Sequence, residues 1–439
     1  MASEYFKNIY YLKSYDAKRT DWNIKKFKYN VTINNEKNDY ADSEEYTYIG
    51  LENIESWTGK IIETNEFIPQ GIATKYETGD ILFGKLRPYL AKVYLAEKSG
   101  YCTTEAIVMS CHSELYPKYL FYFLISSIFI KEIDSFTYGA KMPRINWETI
   151  GNLPIIYPTI KKQEEIVDLL DHQTSHIDEL INQKQKLIGL LEEQKDTLIT
   201  KAVTKGIEED VKMKPSYNQW IGEIPEHWIK SKIGFCFDIK LGKMLQTEPK
   251  YDDDVLKPYL RAANVQWNEI NRDSIYEMYF DKKEIGELKL KKRDLLISEG
   301  GDVGRSCIWN DDEEMYYQNA IIRAREPKKI NVKVEFLYYW IYYLKMSGIL
   351  NLICNTATIS HYTAEKVNST ILIYPEIEEQ NMIIEYIESN VKPIEDIIRK
   401  TSTSIEYLKE YRSALITSAV TGQIYVRDFR NENNDGNDI

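Results

Sequence analysis

His172 and His176 are the residues whose spacing comes nearest to that of a metal site. They stand four residues apart in a segment without proline, so on a helix both side chains would lie on one face. Protein zinc sites use three or four ligands, and no third ligand lies near them in the sequence. The pair therefore favours a solvated helix face over a metal site.

Sequence motifs for nucleotide and methyl-transfer chemistry are missing. The segments at 58–60 (TGK) and 241–243 (LGK) lack the neighbours that a Walker A loop, GxxxxGK[ST], requires. No Pro-Pro pair occurs, whereas an adenine methyltransferase holds its flipped base with a [DNS]-P-P-[FYW] turn. These absences predict that the chain is not an enzyme. An enzyme would instead show a ligand pocket with convergent polar groups.

The cysteines and the apolar content indicate a reduced, soluble protein. The five cysteines form no CxxC pair and are scattered, which is typical of buried thiols in the cytosol; they are Cys102, Cys111, Cys236, Cys307 and Cys354. The longest apolar run, 119–130, is too short to span a bilayer. No secretion signal opens the chain, so we expect a cytoplasmic protein with no membrane contact.

The chain contains an internal repeat. Residues 199–204 (ITKAVT) match residues 416–421 (ITSAVT) at an offset of 217. Upstream, 79–82 (GDIL) matches 293–296 (RDLL) at 214, and 48–54 (YIGLENI) matches 259–265 (YLRAANV) at 211. Matching segments in the same order predict one architecture built twice. The well-preserved parts should do the same task twice, and the divergent parts two related tasks.

Each preserved block has the heptad pattern of a coiled coil. Apolar residues recur at the a and d positions over five heptads. The predicted seam consists of Leu170, Ile177, Leu180, Leu187, Leu191 and Leu198 in the first copy and Ile387, Ile394, Ile397, Leu408 and Leu415 in the second. Equivalent surfaces that pair about a two-fold axis make the helices antiparallel, with the variable domains at opposite ends. Helices that pack only on their own domains remain the alternative.

The segments around these helices resemble those of type I restriction–modification specificity subunits. The resemblance lies in the central junction, 202–207 (AVTKGI) and 220–228 (WIGEIPEHW), and in the ending at 420–428 (VTGQIYVRD). It extends to Gln163 and Gln380 early in each helix, and 79–93 resembles one subtype of target recognition domain. Residues 1–21 depart from the family, because they lack the WIGEIPEHW phrase.

The resemblance implies an α/β (α+β) fold with a pseudo-two-fold internal repeat. In it, two long antiparallel coiled-coil helices join two globular target recognition domains. The implied segments are target recognition domain 1 at 1–157, the central conserved helix at 158–206, a linker at 207–228, target recognition domain 2 at 229–374, the C-terminal conserved helix at 375–425 and a disordered tail at 426–439.

The resemblance also implies a function without catalysis. The chain would bind double-stranded DNA at an asymmetric, bipartite site and scaffold two adenine methyltransferase subunits, with restriction subunits joining through the complex. S-adenosylmethionine, ATP and Mg²⁺ would be held by those partners, and no cofactor or metal by this chain.

Long polar side chains near turns are the candidates for reading DNA. Arg and Lys suit guanine, whereas Asn and Gln suit adenine. The candidates are Lys85, Arg87, Lys141 and Arg144 in the first domain and Lys243, Gln246, Arg261, Arg305 and His361 in the second. For each, a plain surface charge or an internal hydrogen bond is the alternative.

The net charge leaves a second function open. It is −12, whereas nucleic-acid binders usually carry a basic face. Local basic clusters such as 289–293 (KLKKR) are compatible with DNA binding. The rival hypothesis is a coiled-coil scaffold that assembles proteins without binding DNA.

Overall fold

The chain folds into two compact units. The computed structural model describes residues 22–39, 47–62, 71–139, 141–329, 331–354 and 361–424. Unit 1 comprises Met1–Gln185 and Ser402–Ile439, and unit 2 comprises Lys186–Thr401. Each unit therefore contains one portion of each long helix. The domain boundaries predicted from the sequence lie instead at the ends of these helices. The predicted tail at 426–439 lies outside the described residues.

Unit 1 contains a four-stranded antiparallel sheet at its core. Its strands are β1 (Asn23–Lys26), β2 (Val31–Asn34), β3 (Lys37–Asp39), β4 (Tyr48–Ile49), β5 (Ile72–Tyr76), β6 (Ile81–Gly84), β7 (Val93–Leu95), β8 (Gly100–Cys102), β9 (Ala106–Cys111) and β10 (Pro154–Tyr157). The core sheet has the order β2-β9-β6-β7; a second sheet has the order β3-β5-β8-β4, and β1 pairs with β10. Strand β6, which reads ILFG, is buried along its whole length, as a continuous apolar run predicts.

Helices cover the core sheet of unit 1. They are α1 (Pro117–Leu124), α2 (Ser127–Ser135), α3 (Trp147–Asn152) and the start of α4 (Ile160–Lys205). The apolar run at 119–130 is thus divided between α1 and α2, and the Ser126 hydroxyl donates to the Phe123 carbonyl at the break. Across the described part of the chain, no helix combines the length and apolar character needed to cross a membrane.

Unit 2 repeats this architecture. Its strands are β11 (Met213–Pro215), β12 (Glu223–Pro225), β13 (Ile229–Lys232), β14 (Asp238–Leu241), β15 (Val255–Leu260), β16 (Val265–Gln266), β17 (Glu269–Ile270), β18 (Tyr276–Phe280), β19 (Asp294–Ser298), β20 (Ser306–Trp309), β21 (Tyr316–Tyr317), β22 (Ile321–Arg325) and β23 (Ile371–Tyr374). The core sheet has the order β14-β22-β19-β20, and other sheets have the orders β18-β15-β21, β13-β23, β11-β12 and β16-β17. Its helices are α5 (Ile233–Cys236), α6 (Lys282–Leu288), α7 (Val334–Met346), α8 (Ile349–Cys354), α9 (Ala364–Ser369) and α10 (Ile377–Val420), which continues into unit 1.

Strand registers show that the two units are copies of one fold. Strand β4 runs parallel to β8 with Tyr48 opposite Tyr101, and β15 runs parallel to β21 with Tyr259 opposite Tyr316. In unit 1, Asn23 of β1 faces Tyr157 of β10. Ile229 of β13 faces Tyr374 of β23 in the same way. The offsets found in the sequence are therefore offsets between equivalent strands.

A buried glutamine holds the start of each long helix. Gln163 donates to the carbonyls of Glu114 and Pro158 at 2.9 and 2.8 Å and accepts from the Tyr116 amide at 2.8 Å. Gln380 makes the same three bonds, to Asn331 and Pro375 at 3.0 and 2.8 Å and from Lys333 at 2.8 Å.

The segment 207–228 belongs to unit 2. It contains the hairpin β11-β12, and its Ile224 and Trp228 are each 1% exposed within the core of that unit. The indole of Trp228 donates to Glu379 of α10 at 3.0 Å. The segment that the sequence assigned to a linker is thus part of a folded unit.

Within each unit the two long helices run antiparallel. In unit 2, Lys195 of α4 pairs with Glu395 of α10 at 3.7 Å, and a Cβ placed on Gly206 would lie 3.4 Å from Glu379. Residue numbers along α4 rise from 195 to 206 while those of the contacted residues on α10 fall from 395 to 379, so the two helices run in opposite directions. In unit 1, Arg412 of α10 pairs with Asp178 of α4 at 2.8 Å. The predicted direction is correct.

The predicted coiled-coil seam needs a correction at its d positions. Five a positions are buried at 8% exposure or less: Leu170, Ile177, Ile387, Ile394 and Leu415. Leu191, Leu198 and Leu408 at a, and Leu180 at d, are half-buried. However, Leu187 and Ile397 at d are 43% and 45% exposed. Near the start of each helix the d positions Ile166 and Ile383 are buried. Further along, the buried partners of the a series are e positions, among them Thr174, Ala202, Val391, Ile405 and Ala419. Spacings of three and four residues fit both an a/d and an a/e stripe, and tertiary packing buries the a/e stripe over most of each helix.

Candidate nucleic-acid interface

Three chain segments meet in unit 1 where β6 ends. The Lys85 amide donates to the Glu105 carbonyl at 2.8 Å, and the Ile145 amide donates to the Lys85 carbonyl at 3.1 Å. The Arg87 amide donates to the Pro143 carbonyl at 2.7 Å. We call the segments 85–87, 103–105 and 141–145 junction 1. It brings together all four candidates that the sequence predicts in the first domain.

Two of the four cations at junction 1 are exposed. Arg87 and Lys141 are exposed and make no ion pair with any residue that the structure describes. Arg144 instead forms a two-bond ion pair with Glu105, at 3.2 and 3.3 Å. Burial lowers the pKa of Lys85, an effect that the nearby Glu105 opposes. Junction 1 therefore offers two free cations and one partly desolvated amine.

The same three segments meet in unit 2 and carry different side chains. The Glu299 amide donates to the Ala320 carbonyl at 3.0 Å, and the Tyr362 amide donates to the Glu299 carbonyl at 2.8 Å. We call the segments 299–301, 318–320 and 361–362 junction 2. Glu299 thus occupies the place of Lys85, and the exposed His361 occupies that of Arg144.

The turn that follows contains a residue with positive φ at the equivalent position of both junctions. Arg87 has φ 50° and Gly301 has φ 72°, both in the left-handed region, where glycine is favoured. In unit 1 a strained arginine occupies this position, which presents a cation at the tip of the turn.

Two of the candidates in unit 2 are engaged internally. Lys243 pairs with Glu284 and its ammonium lies 5.5 Å from the ring centre of Phe280. Gln246 is 9% exposed and donates to the Glu248 carbonyl and the Asp254 carboxylate at 3.0 and 2.8 Å. Both side chains are therefore engaged within unit 2 around the loop before β15, which is the internal alternative named for each candidate, and their contact with DNA stays a prediction.

The two arginine candidates of unit 2 are held by neighbouring chain segments. Arg261 donates to the Ser274 hydroxyl at 2.8 Å and stacks 4.1 Å from the Tyr276 ring centre. Arg305 donates to the Ala262 carbonyl at 3.0 Å. In unit 1, Lys92 donates to the Leu51 carbonyl at 2.6 Å in the equivalent place. The bond of Arg305 therefore belongs to the repeated fold, which favours a structural role for this side chain, and its contact with DNA stays a prediction.

The sequence prediction missed Glu299, Met244 and Leu245. Met244 and Leu245 are 74% and 53% exposed and follow Lys243, whose amide donates to Tyr317 and whose carbonyl accepts from Asn319. They therefore lie beside junction 2. The offset of 214 between 79–82 and 293–296 already pairs Lys85 with Glu299, so that signal was present in the sequence.

A cleft of about 790 Å³ in unit 1 contains charged side chains. Lys60 pairs with Asp178, which also binds Arg412, and Lys118 pairs with Asp171. These charges satisfy one another, as in a structural network. His172 and His176 are exposed, and the described residues contain no group of three or more potential metal ligands.

Comparison with known proteins places the chain in a family. The model of the type I restriction modification DNA specificity domain matches twice, at residues 23–189 and 225–407. The MjaVIII type I specificity subunit of Methanocaldococcus jannaschii is 26% identical over 83% of this chain and 86% of its own length. The EcoKI type I specificity subunit of Escherichia coli is 20% identical over 73% of this chain and 68% of its own.

The fold also matches a solved structure. That chain is described as "Structural basis underlying complex assembly and conformational transition of the type I R-M system". It superposes with a TM-score of 0.71 at 18% identity, over 92% of this chain and 99% of the other. At this identity the match supports the fold.

Proposed function

Since this chain belongs to the type I restriction modification DNA specificity family and is a type I specificity subunit, we propose that each of its two units reads one part of a split DNA site. Specificity subunits of these systems are the non-catalytic subunits that recognise DNA. We assign target recognition domain 1 to 1–157 and target recognition domain 2 to 229–374, joined by the conserved helical segments 158–206 and 375–425.

The pair of junctions is the observation that carries this proposal. Their backbones are fixed by equivalent hydrogen bonds, whereas their side chains differ in charge. Base-edge contacts specify sequence, whereas phosphate contacts position the protein. Two DNA-contacting junctions with equivalent backbones and different side chains would select different bases. The target should therefore be asymmetric and bipartite. Arg87 and Lys141 are the side chains best placed to meet DNA at junction 1.

Exposed apolar side chains on the long helices support the binding of partner subunits. On unit 2 these include Leu187, Leu190 and Tyr386, which are 43%, 54% and 41% exposed; on unit 1, Tyr407 and Tyr411 are 66% and 51% exposed. Exposed apolar patches mark protein interaction sites. We assign these helix faces to two adenine methyltransferase subunits, through which the restriction subunits join. S-adenosylmethionine, ATP and Mg²⁺ belong to those partners in this proposal.

Methylation mapping tests the proposal. The chain is expressed with its cognate methyltransferase subunit in a host that lacks other modification systems, and modified adenines are mapped by single-molecule sequencing. We expect one asymmetric, gapped motif that disappears when this chain is omitted. Methylation that persists unchanged without the chain would overturn the proposal and favour the scaffold without DNA binding, which the net charge of −12 supports.

A further inference from the structure

We propose that Glu299 reads a base that carries an exocyclic amino group in the major groove, cytosine or adenine, in the half-site bound by unit 2. Its counterpart Lys85 donates to guanine in the other half-site. This inference rests on the proposed function, because it assumes that the junctions face DNA.

Equivalent backbone bonds give Glu299 and Lys85 the same orientation. Each residue donates its amide to the segment that enters the next core strand, at Ala320 or Glu105, and accepts an amide at its carbonyl, from Tyr362 or Ile145. When both backbone groups of a residue are fixed in the same way, its Cα–Cβ bond points to the same side of the sheet. The carboxylate of Glu299 therefore extends from the face that presents the Lys85 amine in unit 1.

Two charged side chains near Glu299 in the sequence are engaged with other groups. Asp302 in the same loop pairs with Lys345 at 2.7 Å, and Arg305 is bonded to Ala262. Glu299 itself is half-buried and its carboxylate forms no ion pair within the described residues. Toward the part of the chain that the structure describes, Glu299 forms its hydrogen bonds through its backbone. A carboxylate in this setting retains its capacity to accept hydrogen bonds.

The chemistry of an unpaired carboxylate at a DNA surface limits what it can bind. A carboxylate accepts hydrogen bonds only, and phosphate repels it. In the major groove the available donors are the N4 amino group of cytosine and the N6 amino group of adenine, whereas guanine presents acceptors that suit lysine. With Glu299 at the position of Lys85, we expect the preferred base to change from guanine to cytosine or adenine, whose amino groups face the major groove. A well-formed contact of this kind discriminates by about fivefold to about 150-fold.

The test compares the methylated motifs of three variants in the assembled methyltransferase complex. Glu299→Ala removes the acceptor, Glu299→Lys installs the chemistry of junction 1, and Glu269→Gln alters an exposed glutamate of the same unit outside the junction. We expect one cytosine or adenine position of the second half-site to become degenerate in E299A and to shift towards guanine in E299K. The first half-site and the motif of E269Q should remain unchanged.

The outcomes separate this inference from the proposed function. A gapped motif that depends on the chain but is identical in wild type, E299A and E299K would overturn the role of Glu299 and leave the proposed function standing. Methylation that does not depend on the chain would overturn both. If E299K abolishes modification, the motif of E299A decides, because removing the side chain leaves no new charge near the phosphates.

Discussion

The Nε atom of Arg412 donates to the Asp178 carboxylate at 2.8 Å and joins α10 to α4 in unit 1. The residues 217 positions away in the repeat are Lys195, which corresponds to Arg412, and Glu395, which corresponds to Asp178. Lys195 and Glu395 also form an ion pair, at 3.7 Å in unit 2. Equivalent positions of the repeat thus carry an ion pair in both units. The two copies differ in burial, since Arg412 and Asp178 are 11% and 13% exposed, whereas Glu395 is 50% exposed.

Replacing Arg412 should destabilise unit 1 far more than replacing Lys195 destabilises unit 2. Among the described residues, Arg412→Met leaves the buried Asp178 with the half-exposed Lys60 as its one ion-pair partner and removes a bond to the Trp57 carbonyl. We expect a loss of about 3 kcal/mol. Lys195→Met should cost less than about 1 kcal/mol, because its partner is solvated. Hydrogen exchange of each unit, measured by mass spectrometry, reports the two losses separately. Equal losses would contradict the assignment of a buried pair to unit 1.

The buried glutamines should be about equally important in the two units. Gln163→Leu leaves two carbonyls and one amide without a partner, and so does Gln380→Leu. Unsatisfied buried groups cost about 1–3 kcal/mol each, so each variant should lower the free energy of unfolding by at least about 2 kcal/mol. Urea denaturation measures the loss. Gln183→Leu, at an exposed site on α4, is the control and should change stability by less than about 0.5 kcal/mol.

Substitutions of Arg87 and Arg305 should have different effects, the first on DNA affinity and the second on the stability of unit 2. Arg87→Ala removes an exposed cation at junction 1 and should weaken DNA binding by about 1–3 kcal/mol while the unfolding transition stays in place. Arg305→Ala removes the bond to Ala262 and should instead lower the stability of unit 2. Fluorescence anisotropy with the mapped target and thermal unfolding supply the two measurements. An Arg305→Ala variant of full stability and weakened binding would contradict the structural role and support Arg305 as a residue that contacts DNA.

Buried thiols should resist modification in the folded chain. Burial raises the pKa of both Cys102 and Cys307 to about 12, so at pH 8 almost no thiolate is present, and the thiolate is the reactive species. Ellman's reagent should modify these cysteines only after denaturant is added. Peptide mapping identifies the sites, and rapid labelling of Cys102 in native buffer would contradict the burial.

The repeat made much of the fold predictable. The repeat pairs Tyr48 with Tyr259, and these residues lie in equivalent strands. It also pairs Gln163 with Gln380, and these residues make equivalent hydrogen bonds. The d positions of the heptads were not predictable in the same way. Spacings of three and four residues fit two adjacent stripes of a helix equally well, and only the packing of the domains shows that Leu187 is exposed.

The site was harder to predict, because side-chain partners are far apart in the sequence. Lys243 forms an ion pair with Glu284, whereas Arg261 stacks on Tyr276 and donates a hydrogen bond to Ser274. None of these pairings follows from turn propensity or local charge. Arg87 and Lys141 remain available because no acidic side chain of the described residues reaches them. A sequence shows which side chains can bind bases, but the fold decides which of them are already engaged.

The first unit closes its core with residues from the end of the chain. Leu415, Ile416, Ala419 and Val420 pack among residues of α1 and β10, and the Tyr119 hydroxyl bonds to the Val420 carbonyl at 3.0 Å. During translation at about 5–20 residues per second, the ribosome needs on the order of 10–40 s to travel from Gln185 to Ser402. Throughout that interval the first unit lacks these four core residues, so its core cannot be completed until they have been synthesised.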